Sequence, residues 1–185
     1  MTRVLWGASF VTMLVVAGVG ARGLTPAGAE RSQTLKDAAS SKEELVQWLL
    51  EALEKKDLQA LRRIRVTEAE YKDVIMKGSV EVGQPLRKWP AEVSDYAWKT
   101  LNTKSLYYER YLLANMGGKH FEPKDGKRFE SEDMTFDKGV KDYATYRAYR
   151  QLRLAIFADG RPGTLATGSI AEVDGQYKFI SYIRD

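Results

Sequence analysis

Between Ser41 and Met116 the apolar positions recur every three or four residues, and after Gly118 the spacing falls to two. The first spacing predicts helices and the second predicts strands. Leu45, Trp48, Leu49, Ala52 and Leu53 form one stripe of a first helix. It opens at Ser41-Lys42-Glu43-Glu44, a capping box in which the Ser41 hydroxyl and the Glu44 carboxylate each satisfy a free backbone N–H. Lys55 and Lys56 suit the negative end of its dipole. Asp57 is the expected N-cap of a second helix, with Leu58, Leu61 and Ile64 on one side. Thr67-Glu68-Ala69-Glu70 is a second capping box, opening a helix with Tyr71, Val74 and Ile75 inward and Gly78 at its end. Gly83, Pro85 and Pro90 mark residues 79–92 as a loop. A long helical stretch follows from Ala91 to Met116, with Val93, Tyr96, Ala97, Leu101, Tyr108 and Leu112 as its inward face. Thr100, Asn102 and Thr103 interrupt that face, so one kinked helix and two shorter pieces both fit.

The strand region begins with Lys119–Glu122, a turn at Asp125-Gly126 and a candidate strand over Lys127–Phe136. Tyr143–Ala158 carries the clearest alternation: Ala144, Tyr146, Ala148, Leu152, Leu154 and Ile156 share one face. Gly160-Arg161-Pro162-Gly163 turns the chain into Thr164–Val173, and Asp174-Gly175 turns it into Tyr177–Arg184. Helices followed by antiparallel strands joined by tight turns predict an α+β domain, with N-terminal helices packed on a curved sheet.

The first 29 residues read differently. Arg3 precedes an uncharged run from Val4 to Gly20, and Ala27-Gly28-Ala29 has the small side chains a signal peptidase accepts before Glu30. The expectation is a signal peptide at 1–29, a polar tether at 30–40 and one domain over 41–185, exported to a periplasm or the medium. An uncleaved anchor is the competing reading, since roughly 18 uncharged residues can span a bilayer, and a membrane partner follows only from that reading. With no cysteine in the chain, neither a lipid anchor on an N-terminal Cys nor a disulfide framework is available. A domain of about 155 residues buries roughly 70% of its unfolded surface and can stand on its core.

Removing Arg3 and Arg22 from 29 basic side chains leaves 27 against 25 acidic ones, a net charge of +2. That balance argues against a nucleic-acid partner, which would call for a basic patch. One histidine and no cysteine leave carboxylates as the main metal ligands, so no metal or other cofactor is expected.

The segments LVQWLLEALEKKDLQAL and TEAEY and the closing SIAEVDGQYKFISYIRD resemble the nuclear-transport-factor-2-like (cystatin-like) superfamily, nearest to its secreted bacterial members. The likeness spans most of residues 41–185 and rests on a helix pair, an aromatic-Asp-Gly-aromatic hairpin and a final strand. It implies a strongly bent sheet wrapped around helices as a cone, often with a ligand cavity inside. Superfamily members include isomerases, dehydratases, cyclases and non-catalytic binding or dimerising domains, so the fold alone selects no function.

His120 is the one residue suited to acid–base work near neutral pH. Asp142 or Asp133 could partner it, and an exposed strand-edge histidine is the plainer alternative. By alternation Arg150 falls on the buried face of its strand. There it needs a carboxylate or a ligand anion, unless a β-bulge turns it outward. Tyr96 and Trp98, with Trp89, gather near the start of the long helix, where they could rim a cavity or pack a loop. Tyr107 and Tyr108 cannot share one helical face, so one of them could serve a homodimer contact. Arg147 and Arg153 read as solvated. Two functions remain open. The first is a non-catalytic module for ligand binding or assembly. The second is a small-molecule lyase or isomerase using His120, Asp142, Tyr146 and Arg150 around a small molecule in the cone.

Overall fold

A computed structural model describes residues 34–123 and 129–184. The signal segment and the expected turn at Asp125-Gly126 lie outside the described residues. Four α-helices come first: α1 (Lys42–Glu54), α2 (Leu58–Arg63), α3 (Glu68–Glu70) and α4 (Ala91–Met116). The third continues as a π-helical stretch over Tyr71–Met76. Eight strands follow: β1 (Phe121–Glu122), β2 (Met134–Phe136), β3 (Val140–Asp142), β4 (Arg147–Tyr149), β5 (Leu152–Ala158), β6 (Arg161–Ala166), β7 (Ile170–Val173) and β8 (Gln176–Phe179). The protein is therefore α+β, with every strand pairing antiparallel. Among the described residues no helix is long and apolar enough to cross a membrane.

Local chemistry accounts for the helix starts. Ser41 Oγ accepts the Glu44 N–H, Asp57 accepts from Gln59 and Ala60, and Thr67 with Glu70 forms a complete capping box. The first box differs from expectation: Glu44 reaches the N–H and hydroxyl of Ser40 instead of Ser41. Lys55 and Lys56 lie just past the last turn of α1. Lys56 takes the left-handed conformation (φ 54°), and Asp57 N–H donates to Ala52 O at 2.7 Å. That is a Schellman stop built without glycine.

Two four-stranded sheets result. In one, β5 pairs with β1 and β2 on one side and with β6 on the other; the second runs β3-β4-β7-β8. Two strands expected to be continuous are broken where the chain passes between the sheets, and a third is shortened at its start. Tyr143–Ala158 divides into β4 and β5 at Arg150-Gln151, Thr164–Val173 divides at 167–169, and 127–136 shortens to β2 behind a 3-10 turn over Ser131–Asp133. Gln151 has φ 63°, which turns the strand and switches its faces. Hydrogen bonds carry pairing across the breaks: Asp137 N–H to Gln151 O, Arg150 N–H to Gly139 O and Leu152 N–H to Gly168 O, each 2.9–3.0 Å. Gly168 is required here, since a Cβ would fall 1.9 Å from Ser181 O. The turn between β5 and β6 is Asp159-Gly160, and Arg161 and Pro162 belong to β6. Proline is tolerated there because β6 is an edge strand.

Leu45, Leu49 and Leu53 of α1, Leu61 and Ile64 around α2, and Leu112 of α4 pack against Leu152, Leu154, Ile156, Phe179 and Tyr182. A second cluster joins Val74 and Ile75 to Tyr146, Ala148, Ala171 and Val173, with Leu35 included. Residues 34–40 are thus part of the fold and not a free tether: Leu35 and Ala39 are buried, and Ala39 exchanges both backbone hydrogen bonds with Tyr177. Helix α4 is continuous and has the expected bounds, and its expected inward face holds at Leu112 and partly at Ala97, Leu101 and Tyr108 but not at its start. Val93 and Tyr96 point to solvent, while Ser105, Glu109 and Leu112 are buried.

Candidate functional site

His120 follows the Gly117-Gly118 stop of α4 and is exposed. Its Nδ1 lies 2.9 Å from Glu54 Oε1 and its Nε2 3.4 Å from Glu122 Oε1. Glu54 also accepts the Phe121 N–H, and Asp159 accepts the His120 N–H. The carboxylates beside the ring are therefore not the expected ones. Asp133 accepts the Glu130 N–H, and Asp142 pairs with Arg147 at 2.6 Å.

Tyr146 is buried against Val74 and Ile75 and stacks on Tyr143 at 4.7 Å. Burial pushes its phenol well above the usual range. Arg150 is half-buried at the break between β4 and β5, and Gln151 takes the buried position beside it. Arg150 therefore leaves the expected buried face because the strand ends there and Gln151 takes φ 63°, not because of a bulge within a continuous strand. Tyr96 is 74% exposed. Trp98 lies 5.5 Å from the Tyr71 ring and 5.6 Å from the Arg65 guanidinium. Trp89 donates from Nε1 to Met76 O and is covered by Arg87. His120, Asp142, Tyr146 and Arg150 thus sit in four separate surroundings. Among the described residues no group of three His, Asp or Glu side chains is placed to hold a metal.

Where polar groups do converge is the face of the β3-β4-β7-β8 sheet turned toward the start of α1. Antiparallel register sets Arg147 opposite Glu172 and Glu172 opposite Tyr177. Tyr149 donates its hydroxyl to Glu172 Oε2 at 2.6 Å, Arg147 Nη1 lies 3.9 Å from that oxygen, and Lys42 Nζ sits 4.8 Å over the Tyr149 ring. Burial, then the Glu172 carboxylate, push the Tyr149 phenol up to about 12; Tyr177 is raised for the same two reasons. At neutral pH both phenols are protonated donors around one carboxylate. This set can hold a polar ligand at the surface.

Two buried charge pairs are absent from the sequence reading. Lys178 of β8 reaches Glu70 at 2.9 Å, and Arg65 faces Glu109 at 3.7 Å. Alternation along the last strand does set Lys178 with Ile180 and Tyr182, and that was the available signal. Glu109 carried a weaker one, lying three residues before Leu112 on the buried side of α4.

A cleft of about 600 Å³ lies between α4 and β6. Tyr107, Tyr108, Tyr111 and Asn115 form one wall, with Thr164 and Arg184 opposite. The Tyr107 and Tyr108 rings meet edge to face at 5.6 Å, and Tyr108 donates to Arg184 O. No family model, curated protein or solved structure matches this chain.

Proposed function

We propose that this domain is an exported, non-catalytic module for ligand binding or assembly, of the nuclear-transport-factor-2-like type. Support for a bent, cone-like sheet comes from the three chain crossings between the sheets, where pairing continues through Asp137–Gly139, Arg150-Gln151 and Thr167–Ser169. The observation that carries the functional reading is the filled interior. Leu45, Leu49, Leu53, Leu61, Ile64, Leu152 and Leu154 occupy the space between helices and strands, each no more than 1% exposed. Acid–base catalysis in a cone needs a reachable polar cavity with convergent groups. Here the Tyr149–Glu172–Tyr177 set lies at the surface of the sheet, the buried charges are held in pairs with each other, and the tyrosine-lined cleft lies outside the core.

Native mass spectrometry of the protein isolated from its own cell tests this. The expected species is bare polypeptide cut after Ala29, alone or as a multiple. A retained small molecule of a few hundred daltons would overturn the filled-interior reading. It would select ligand binding over assembly, and the lyase or isomerase reading would follow only if that molecule were turned over and His120→Ala abolished the turnover. A mass matching residues 1–185 would remove the cleavage.

A further inference from the structure

Helix α4 is amphipathic in an unusual sense: part of its buried side is polar and its solvent side is aromatic. Ser105 and Glu109 are fully buried, while Val93, Tyr96, Tyr107 and Tyr111 are four of the six large hydrophobic side chains exposed among the described residues. Together with the exposed Thr100, Thr103 and Ala114 they recur every three or four residues, which gathers them in one stripe. That stripe contains no charged residue. Glu92, Lys99 and Arg110 flank one side of it, and Lys104 and Asn115 the other. A soluble helix normally turns charge toward water, so this stripe is the part of the surface that solvation explains least.

Its spacing suits a copy of itself. In a two-fold interface every contact occurs twice, so the patch must complement itself when reversed. Positions 93 and 114, 96 and 111, and 100 and 107 are each symmetric about the point between Thr103 and Lys104. We propose that a second copy of this chain docks here, the two α4 helices pairing antiparallel about a two-fold axis beside Thr103. Val93 then meets the partner's Ala114, Tyr96 meets the partner's Tyr111, and Thr100 meets the partner's Tyr107. Small residues oppose large ones at two of the three steps, which lets helix axes approach to about 8–10 Å. The rings are already braced, since Tyr108 packs edge to face on both Tyr107 and Tyr111. This inference names the partner in the assembly reading above and rests on it. A contact limited to one helix face of roughly 33 Å is smaller than a standard interface, so the dimer is expected in the micromolar range. Lys104 falls beside the axis and faces its own counterpart, so the pairing should strengthen with salt.

Sedimentation equilibrium of the full chain provides the first reading, with a monomer–dimer equilibrium expected. Thr100→Arg sets a charge against the partner's Tyr107 from a position exposed in the monomer, and should raise the dissociation constant about 100-fold. Lys104→Ala should lower it. Because the chain has no cysteine, Thr103→Cys supplies one thiol per copy, close to its mate and able to form a disulfide across the axis. Tyr96→Cys and Tyr111→Cys each lie roughly 22 Å from their own mates, at about 1.5 Å per residue, so they should cross-link when mixed but not alone. Three results would each overturn the proposal. One is a monomer up to about 200 μM, well above the expected range. Another is a dimer untouched by Thr100→Arg. The third is Thr103→Cys cross-linking no faster than Lys88→Cys in the exposed loop. None of these bears on bound mass, so the α4 pairing can fail while the binding-module reading stands, and the reverse.

Discussion

Glu70–Lys178 and Glu109–Arg65 are both buried charge pairs, yet they are built in opposite ways. Glu70 accepts from the Lys36 N–H at 2.6 Å, from the Thr67 N–H at 2.7 Å and from Lys178 Nζ at 2.9 Å, and Nζ also donates to Lys36 O. Burial pushes this carboxyl up, but the hydrogen bonds outweigh it and hold the group below the usual carboxylate range. Glu109 has no exposed surface, and its contacts are long: 3.4 Å from Arg62 and 3.7 Å from Arg65. Its Oε1, with Nε and Nη1 of Arg65, has no hydrogen-bond partner. Burial therefore wins, raising the Glu109 carboxyl despite both arginines and lowering the Arg65 guanidinium despite Glu109. Burying a charge costs free energy in both places. Short, charge-assisted hydrogen bonds decide whether that cost is recovered.

The sharpest way to break the comparison is Lys178→Met. It strands Glu70 in the interior and releases Lys36 O, and we expect a loss of about 3–5 kcal/mol in urea unfolding. Hydrogen exchange at the Lys36 and Ala39 amides should rise at the same time, since residues 34–40 lose an anchor. The second pair should behave differently. Glu109→Leu alone leaves Arg65 buried without a counter-charge and should cost about 3 kcal/mol, whereas Arg65→Met with Glu109→Leu should fall within about 1 kcal/mol of the parent or exceed it. A double variant as damaged as Lys178→Met would mean that the stretched pair stabilises as well as the short one does.

Both pairs show where sequence reasoning stops. The Thr67…Glu70 capping box was legible because capping is local. That Glu70 would also receive Lys36 and Lys178 depends on chain segments 34 and 108 residues away, and no spacing encodes that. Helix α4 was legible in its bounds and in the burial of Leu112, but not in the orientation of its first turns. Periodicity finds a stripe without saying whether it faces the core, and Val93 and Tyr96 belong to the outer one. The long strands failed for a related reason: alternation continues through Ala148, Leu152 and Leu154, but Gln151 adopts a left-handed turn and the sheet changes direction there. For the candidate residues, composition singled out His120 correctly as the lone imidazole. Its surroundings of Glu54 and Glu122 depend on how α1 docks beside β1. The Tyr149–Glu172–Tyr177 set went unnoticed because its members come from three strands whose register is a tertiary property.

The smallest expected effect is also the most diagnostic, because the two carboxylates should respond to pH with opposite signs. The Glu70 pKa is lower in the fold than in the unfolded chain, so its contribution is complete above the ordinary carboxylate value and is lost as pH falls through the lowered one. The Glu109 pKa is raised, so the folded protein keeps a proton that the unfolded chain has released. Its contribution is most favourable in acid and declines as pH climbs from the ordinary value through the raised one. Glu70→Gln and Glu109→Gln each remove one of these titrations while keeping shape. Unfolding free energies measured from about pH 4 to pH 8 should show the parent's advantage over Glu70→Gln shrinking toward the acid end. Its advantage over Glu109→Gln should shrink toward neutrality instead. If both differences move in the same direction, the Glu109 carboxylate is better compensated than its 3.4 Å and 3.7 Å contacts imply, and the contrast between the two pairs is one of geometry without energetic consequence.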